Sequence, residues 1–420
     1  MLKRIIFIII ICHTAAFACG CMANQPTREA PANANTTSAN ELSSHVDAQS
    51  DATAELPGII ITEAVSEPSP EPAPDALSGF LEKMTLEEKL YQMFFVTPEL
   101  LTGQDNVTIA GEATKNALQA YPVGGLIYFA ANIISNGQTY EMIKQTQQYA
   151  KIPLFIGVDE EGGRVARISA NARMGYEKIP SMGSLGKAGD AAKAYETGAK
   201  IAAMLTELGF NVDFAPVADV LVNTANQEIG NRSFGTDAQL VAEMVSQVVG
   251  GLQENNISAV LKHFPGHGST KTDSHTGYSE STRSYEEMRA REFIPFAAGI
   301  AAQADFVLIS HLSAVNIDPS ALPSTLSKVI ITDMLINELQ FKNIVITDSM
   351  SMGAVTKQYS PGEAAVMAVE AGVDMILMPQ SLTEAYKGLQ EALANGRLSE
   401  ERIDESVRKI IAIKISRGII

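Results

Sequence analysis

Three of the six histidines in the chain fall within one stretch, Lys262-His263-Phe264-Pro265-Gly266-His267-Gly268-Ser269-Thr270-Lys271-Thr272-Asp273-Ser274-His275. Imidazoles titrate near neutrality, so such side chains can move protons to and from a reacting group or hold a metal ion. Pro265 and the glycines at 266 and 268 exclude a helix, and the i,i+4 spacing of His263 and His267 therefore does not bring both rings onto one helical face. A helical two-histidine zinc site is thereby removed. What is left is a glycine-hinged loop that presents imidazoles and a carboxylate. It follows Ile257-Ser258-Ala259-Val260-Leu261, an apolar run that reads as a buried strand.

Other charged groups come just after other apolar runs. Asp159-Glu160-Glu161-Gly162-Gly163-Arg164, with Arg167 close behind, follows one; Asp219 follows the next, with Asn231-Arg232-Ser233-Phe234 further along. His311 and Asp348-Ser349-Met350 follow two more. Singly, an acid after a strand is more often a helix N-cap than a catalyst, and a lone arginine is more often half of a surface ion pair. Recurrence after nearly every strand points instead to loops gathered on one face.

The positioning elements can be read from the same pattern. Strand-like runs occur at Val123–Phe129, Leu154–Val158, Val212–Pro216, Ala259–His263, Phe306–Ser310, Ile344–Thr347 and Met375–Met378. Between them lie helical stretches such as Thr139–Ala150, Ala191–Leu208, Leu240–Asn255 and Gly362–Ala371. Strands apolar on both faces, alternating with helices, indicate a parallel sheet covered by helices. Seven strands are legible, and the polar residues past their ends favour a TIM-type (β/α)8 barrel over an open doubly wound sheet. The leading segment Leu77–Val96, with Thr85 ahead of Glu88 as a capping box, reads as helices.

The blocks Asp159 to Arg167, Asn231 to Phe234, Lys262 to Gly268, Asp273-Ser274-His275 and Thr347-Asp348-Ser349-Met350-Ser351-Met352 resemble the signature blocks of family 3 glycoside hydrolases, specifically the β-N-acetylhexosaminidase branch. The likeness covers essentially all of residues 77–420, in order. It implies a barrel that removes terminal β-linked N-acetylglucosamine, typically from peptidoglycan fragments, with retention of configuration. Many members carry a second domain after the barrel, and with Ile420 coming soon after the last helical stretch the resemblance is to the single-domain form. By the same resemblance Asp348 is the nucleophile, His275 the acid/base with Asp273 as its orienting partner, and Asp159, Arg167, Arg232, Lys262 and His263 the sugar cradle. The residue types suit those roles. A carboxylate on Nδ1 fixes an imidazole's tautomer and raises its basicity, and aspartate and arginine can each engage two neighbouring hydroxyls. A neutral base would tolerate phosphate as well as water as acceptor, so a phosphorylase stands as an alternative. His267 reads as a loop fastener. With no tryptophan in the chain, Tyr128, Phe129, Phe234, Phe264 and Tyr278 are the candidate sugar-stacking rings.

The first residues form a secretion signal rather than part of the fold: Lys3 and Arg4, then apolar Ile5 to Ile11, then small residues with cysteine. They suggest a lipoprotein signal over residues 1–21 with lipidation at Cys21, or at Cys19 in a second register; a secreted form cut after Ala18 is the plainer alternative. Residues 22–75, rich in Pro, Ala and acids, read as a disordered tether, and residues 76–420 as the catalytic barrel. The expected location is outside the cytoplasm, anchored to a membrane by lipid. All three cysteines lie in the signal, so the barrel has no thiol for a disulfide or a metal. A formal net charge of −17 without a basic stripe argues against nucleic-acid partners. No phosphate-binding glycine loop opens a helix, so no nucleotide cofactor is expected, and the glycosidase mechanism calls for no metal. Two rival readings stand beside it. One is a metal-dependent barrel hydrolase using His263, His267, His275, His311 and Asp348, and the other is a sugar-binding lipoprotein without turnover.

Overall fold

The computed structural model describes residues 74–270 and 279–420. The signal, both candidate lipidation cysteines, nearly all of the tether, Asp273, His275 and Tyr278 lie outside the described residues.

Eight parallel strands form one sheet: β1 (Phe94–Val96), β2 (Gly125–Ile127), β3 (Phe155–Val158), β4 (Val212–Asp213), β5 (Ser258–Phe264), β6 (Phe306–Ile309), β7 (Ile344–Thr347) and β8 (Ile376–Leu377). Sequence neighbours pair from β1 through β7, and β1 also pairs with β8, Phe94 opposite Ile376. The seam between β7 and β8 is closed by the Ile346–Met375 bridge and by the Met375 N–H donating to the Val345 carbonyl at 3.0 Å. The result is the TIM-type barrel. Helices such as Asn136–Tyr149, Ala191–Leu208, Ala238–Gln253 and Pro361–Ala371 stand where 3.6-residue periodicity placed them.

The eighth strand corrects the reading of Leu77–Val96 as helical throughout. A helix at Leu86–Gln92 does start from the Thr85–Glu88 capping box, but the chain then turns into β1. Leu90, Met93 and Phe94 continue the helical spacing across the boundary, and a three-residue strand is too short to show a period of its own. The fully buried Phe94-Phe95-Val96, aromatic and β-branched, was the available cue.

Phenylalanines from three strands, with Phe214 just past β4, fill the barrel. The Phe95 and Phe155 rings stack with centroids 6.4 Å apart, Phe214 meets Phe95 edge-on at 5.3 Å, and Phe306 meets Phe155 edge-on at 5.2 Å. Each such burial stabilises by about 1.5–3 kcal/mol. Room for these rings comes from glycines in β2 and β3. A Cβ on Gly125 would lie 2.8 Å from the Phe95 ring, and one on Gly157 2.7 Å from Phe214.

The opposite end of the barrel is strapped by the helix Glu400–Ser416, whose Ile403, Val407, Ile410 and Ile411 are buried. Lys414 is fully buried and donates to the Gln92 side-chain oxygen at 2.8 Å and the Pro153 carbonyl at 2.6 Å, its Nζ 5.1 Å from the Phe155 ring centroid. Burial pushes its pKa well below the usual lysine range. Lys409 binds Asp374 at 2.9 Å, and Arg417 clamps Asp305 at 2.6 and 3.0 Å. These partners immediately precede β1, β3, β6 and β8, so one helix and its C-cap residue Arg417 tie together four strand beginnings.

Candidate active site

Past Val158 the chain continues extended into a short hairpin, Glu160–Gly162 against Val165–Ala166. Side chains alternate along an extended segment. Asp159 and Glu161 accordingly face the barrel mouth, while Glu160 turns away and accepts the Ile168 and Ser169 N–H groups at 2.8 and 3.1 Å. Burial raises the Glu160 pKa against those donors. Glu160 is therefore a hairpin fastener, and Glu280, exposed on another short strand, does not line the cleft either.

From the end of β5, Lys262 reaches across the mouth. Its Nζ lies 2.8 Å from Asp159 Oδ1 and 2.5 Å from Glu161 Oε1. Arg232, delivered by the long loop after β4, grips Glu161 with two donors, Nε to Oε2 and Nη2 to Oε1, each at 2.8 Å. Its Nη1 also meets Glu228 Oε1 at 3.2 Å. Arg167 lies 3.4 Å from Asp159 Oδ2, with its guanidinium 5.9 Å from the Phe129 ring centroid. Glu161 is thus the shared anion beneath two cations. Burial opposes its charge, but Lys262 and Arg232 outweigh that and hold its pKa down at about 2.

Asp219, buried beyond β4, organises the glycine-hinged loop. Its Oδ1 accepts the His267 N–H at 2.5 Å, and its Oδ2 accepts the His263 N–H at 3.2 Å and lies 2.7 Å from His263 Nδ1. A guanidinium can only donate, so the 3.2 Å approach of Arg232 Nη2 to His263 Nε2 places the ring proton on Nδ1, aimed at Asp219. Burial would raise the Asp219 pKa, yet His263 and then His267 bring it below its ordinary value. His267 fastens the loop as expected: its ring lies 3.1 Å from Thr270 Oγ1, and its carbonyl accepts from Asn226 at 3.0 Å.

Asp348 follows β7. Its N–H donates to the Ile309 carbonyl at 2.8 Å, and its carboxylate Oδ1 accepts the Ser349 N–H at 2.7 Å. Asp159, Arg167, Arg232, Lys262, His263 and Asp348 all line one cleft of about 380 Å³. Of the candidate stacking rings only Phe129 lines it among the described residues. Tyr128, Phe234 and Phe264 are buried in packing and so are not the sugar platforms the sequence suggests. The sequence pattern gives no role to Asp219 or Glu228. The ring nitrogens of His263 and His311 all meet protein partners, and no group of three metal-ligating side chains occurs among the described residues.

The cleft gathers two carboxylates bridged by two cations, groups that can each engage neighbouring hydroxyls, together with the strand-end carboxylate of Asp348. The model described as glycosyl hydrolase family 3 N terminal domain matches residues 85–413. A β-hexosaminidase A of Pseudoalteromonas piscicida is 31% identical over 323 residues, 71% of this chain and 54% of that protein, so this chain spans little more than half its length. A β-hexosaminidase of Idiomarina loihiensis is 34% identical over 306 residues, 72% of this chain and 90% of that protein. Among solved structures, a family 3 β-N-acetylglucosaminidase from Paenibacillus sp. superposes with a TM-score of 0.75 at 37% identity, covering 80% of this chain and 63% of that one. The chain belongs to glycosyl hydrolase family 3.

Proposed function

We propose that the enzyme is a retaining β-N-acetylhexosaminidase that removes terminal β-linked N-acetylglucosamine from peptidoglycan fragments. The observation that carries this reading is the placement of Asp348 in the same cleft as the Asp159–Lys262–Glu161–Arg232 network. Asp159, Arg167, Arg232, Lys262 and His263 hold the sugar hydroxyls. A carboxylate oxygen of Asp348 bonds to the anomeric carbon as the glycosidic C–O bond breaks, and the leaving oxygen takes a proton from His275, oriented by Asp273. Water then attacks the same carbon, gives its proton to His275 and releases Asp348. Two inversions leave the configuration retained.

The test is hydrolysis of a chromogenic β-N-acetylglucosaminide with product analysis in phosphate buffer. Colour and free N-acetylglucosamine are expected, with no loss to a chelator. Failure of any colour to develop removes the reading, while the sugar 1-phosphate as main product makes the enzyme a phosphorylase. His275→Ala should slow substrates with poor leaving groups far more than nitrophenyl ones, which depart with little proton assistance. Equal slowing of both would make His275 a binding residue.

We place the enzyme outside the cytoplasm, anchored through a lipid on Cys21. Cys21→Ser should move the full-length protein from the membrane fraction to the soluble one. If it stays with the membrane, and Cys19→Ser releases it instead, the lipid is on Cys19.

A further inference from the structure

His311 stands just past β6, 1% exposed, and its two ring nitrogens connect two loops. Nε2 lies 2.8 Å from the Ser349 carbonyl oxygen and Nδ1 2.8 Å from Thr325 Oγ1. A carbonyl can only accept, so Nε2 carries a proton and donates it there. Ser349 is in turn the residue whose N–H binds Asp348 Oδ1 at 2.7 Å. The carbonyl and the N–H of one residue are therefore engaged at once, the first by a rigid buried ring and the second by the carboxylate in the cleft. Fixing the carbonyl limits rotation of the Ser349 backbone and so fixes where its N–H points.

We infer that His311 is a positioning residue, which holds the Asp348 carboxylate in its attacking orientation by way of the Ser349 backbone. Thr325 serves it by fixing the ring from the other side. The inference rests on the assignment of Asp348 as nucleophile. It adds a residue that touches neither sugar nor reacting atoms yet acts on the bond-forming step. Misplacement of a reacting group by about 1 Å can cost roughly a hundredfold in rate, so a backbone clamp of this kind has leverage on turnover.

Two near-isosteric replacements separate positioning from bulk structure. In His311→Gln the amide nitrogen takes the place of Nε2 and can still donate to Ser349, while the Thr325 bond is lost. In His311→Asn the amide takes the place of Nδ1 and keeps Thr325, while the Ser349 bond is lost. Each variant loses one buried hydrogen bond, so their Tm values should fall alike. The rates should not: kcat is expected within about threefold of wild type in His311→Gln and about 10–100-fold down in His311→Asn, with KM little changed in both. Equal kcat losses in the two variants, or an unaffected His311→Asn enzyme, overturn the inference. An activated fluorinated sugar that traps the glycosyl-enzyme checks the underlying assignment separately. Label on Asp348 with no split between the variants removes the inference alone, whereas label elsewhere removes the nucleophile assignment.

Discussion

Asp348→Ala is expected to lower kcat by roughly 10⁴-fold or more, because on the proposed assignment it removes the nucleophile and with it the covalent route. The fold should barely register the change. Asp348 is only partly buried, and its carboxylate accepts the Ser349 N–H at the open end of the barrel, away from the packed core. A thermal melt close to wild type beside near-complete loss of turnover is the expected pair of results. An Asp348→Ala enzyme that turns over normally would require a different nucleophile, and a melt that drops steeply would make the carboxylate a fold element.

The second large effect is expected at Glu161, for a different reason. Glu161→Gln preserves shape but removes the single buried anion that Lys262 and Arg232 share, and it sets an amide donor against a guanidinium donor. Breaking a buried ion pair from one side typically costs about 3–5 kcal/mol. That loss should appear as a much lower Tm and as a fall in kcat/KM, since both cations belong to the proposed sugar cradle. The pH dependence has a definite sign. The folded pKa, about 2, lies below an unfolded value near 4.3, so the stabilisation is fully present above about pH 5 and is lost as pH falls toward 2. It amounts to about 3 kcal/mol in wild type. Glu161→Gln melts measured from pH 7 down to 3 should lack that component of acid sensitivity. Melting curves and kcat/KM indistinguishable from wild type would show that the cations do not depend on Glu161.

The barrel was legible because its strands are apolar on both faces and its helices are long and periodic. β1 escaped because three residues cannot display a period next to a helix that shares its apolar spacing. The candidate residues were legible as a set for a topological reason: a parallel barrel puts everything that follows a strand on one face. Their partnerships were not. That Lys262 and Arg232 meet on Glu161, and that His263 and His267 both hang on Asp219, depends on loops far apart in the chain, and residue types do not encode such distances. One cue was present and unused: alternation along Asp159-Glu160-Glu161 already separates Glu160 from its neighbours. The stacking rings failed for the opposite reason, since an aromatic at a strand end fills a core as readily as it lines a cleft.

The strap across the closed end of the barrel also governs when the protein can become one. Lys414 and Gln92 are 322 positions apart, and β8 must return to β1, so the seam forms only after almost the whole described chain has been synthesised. Contacts this distant slow folding. Until they form, the emerging sheet has two unpaired borders, β1 with its run Phe94-Phe95-Val96 and whichever strand was made last. Bare apolar borders invite pairing with other chains. The nascent polypeptide therefore stays in an aggregation-prone form until β8 and the helix Glu400–Ser416 have emerged and closed the seam.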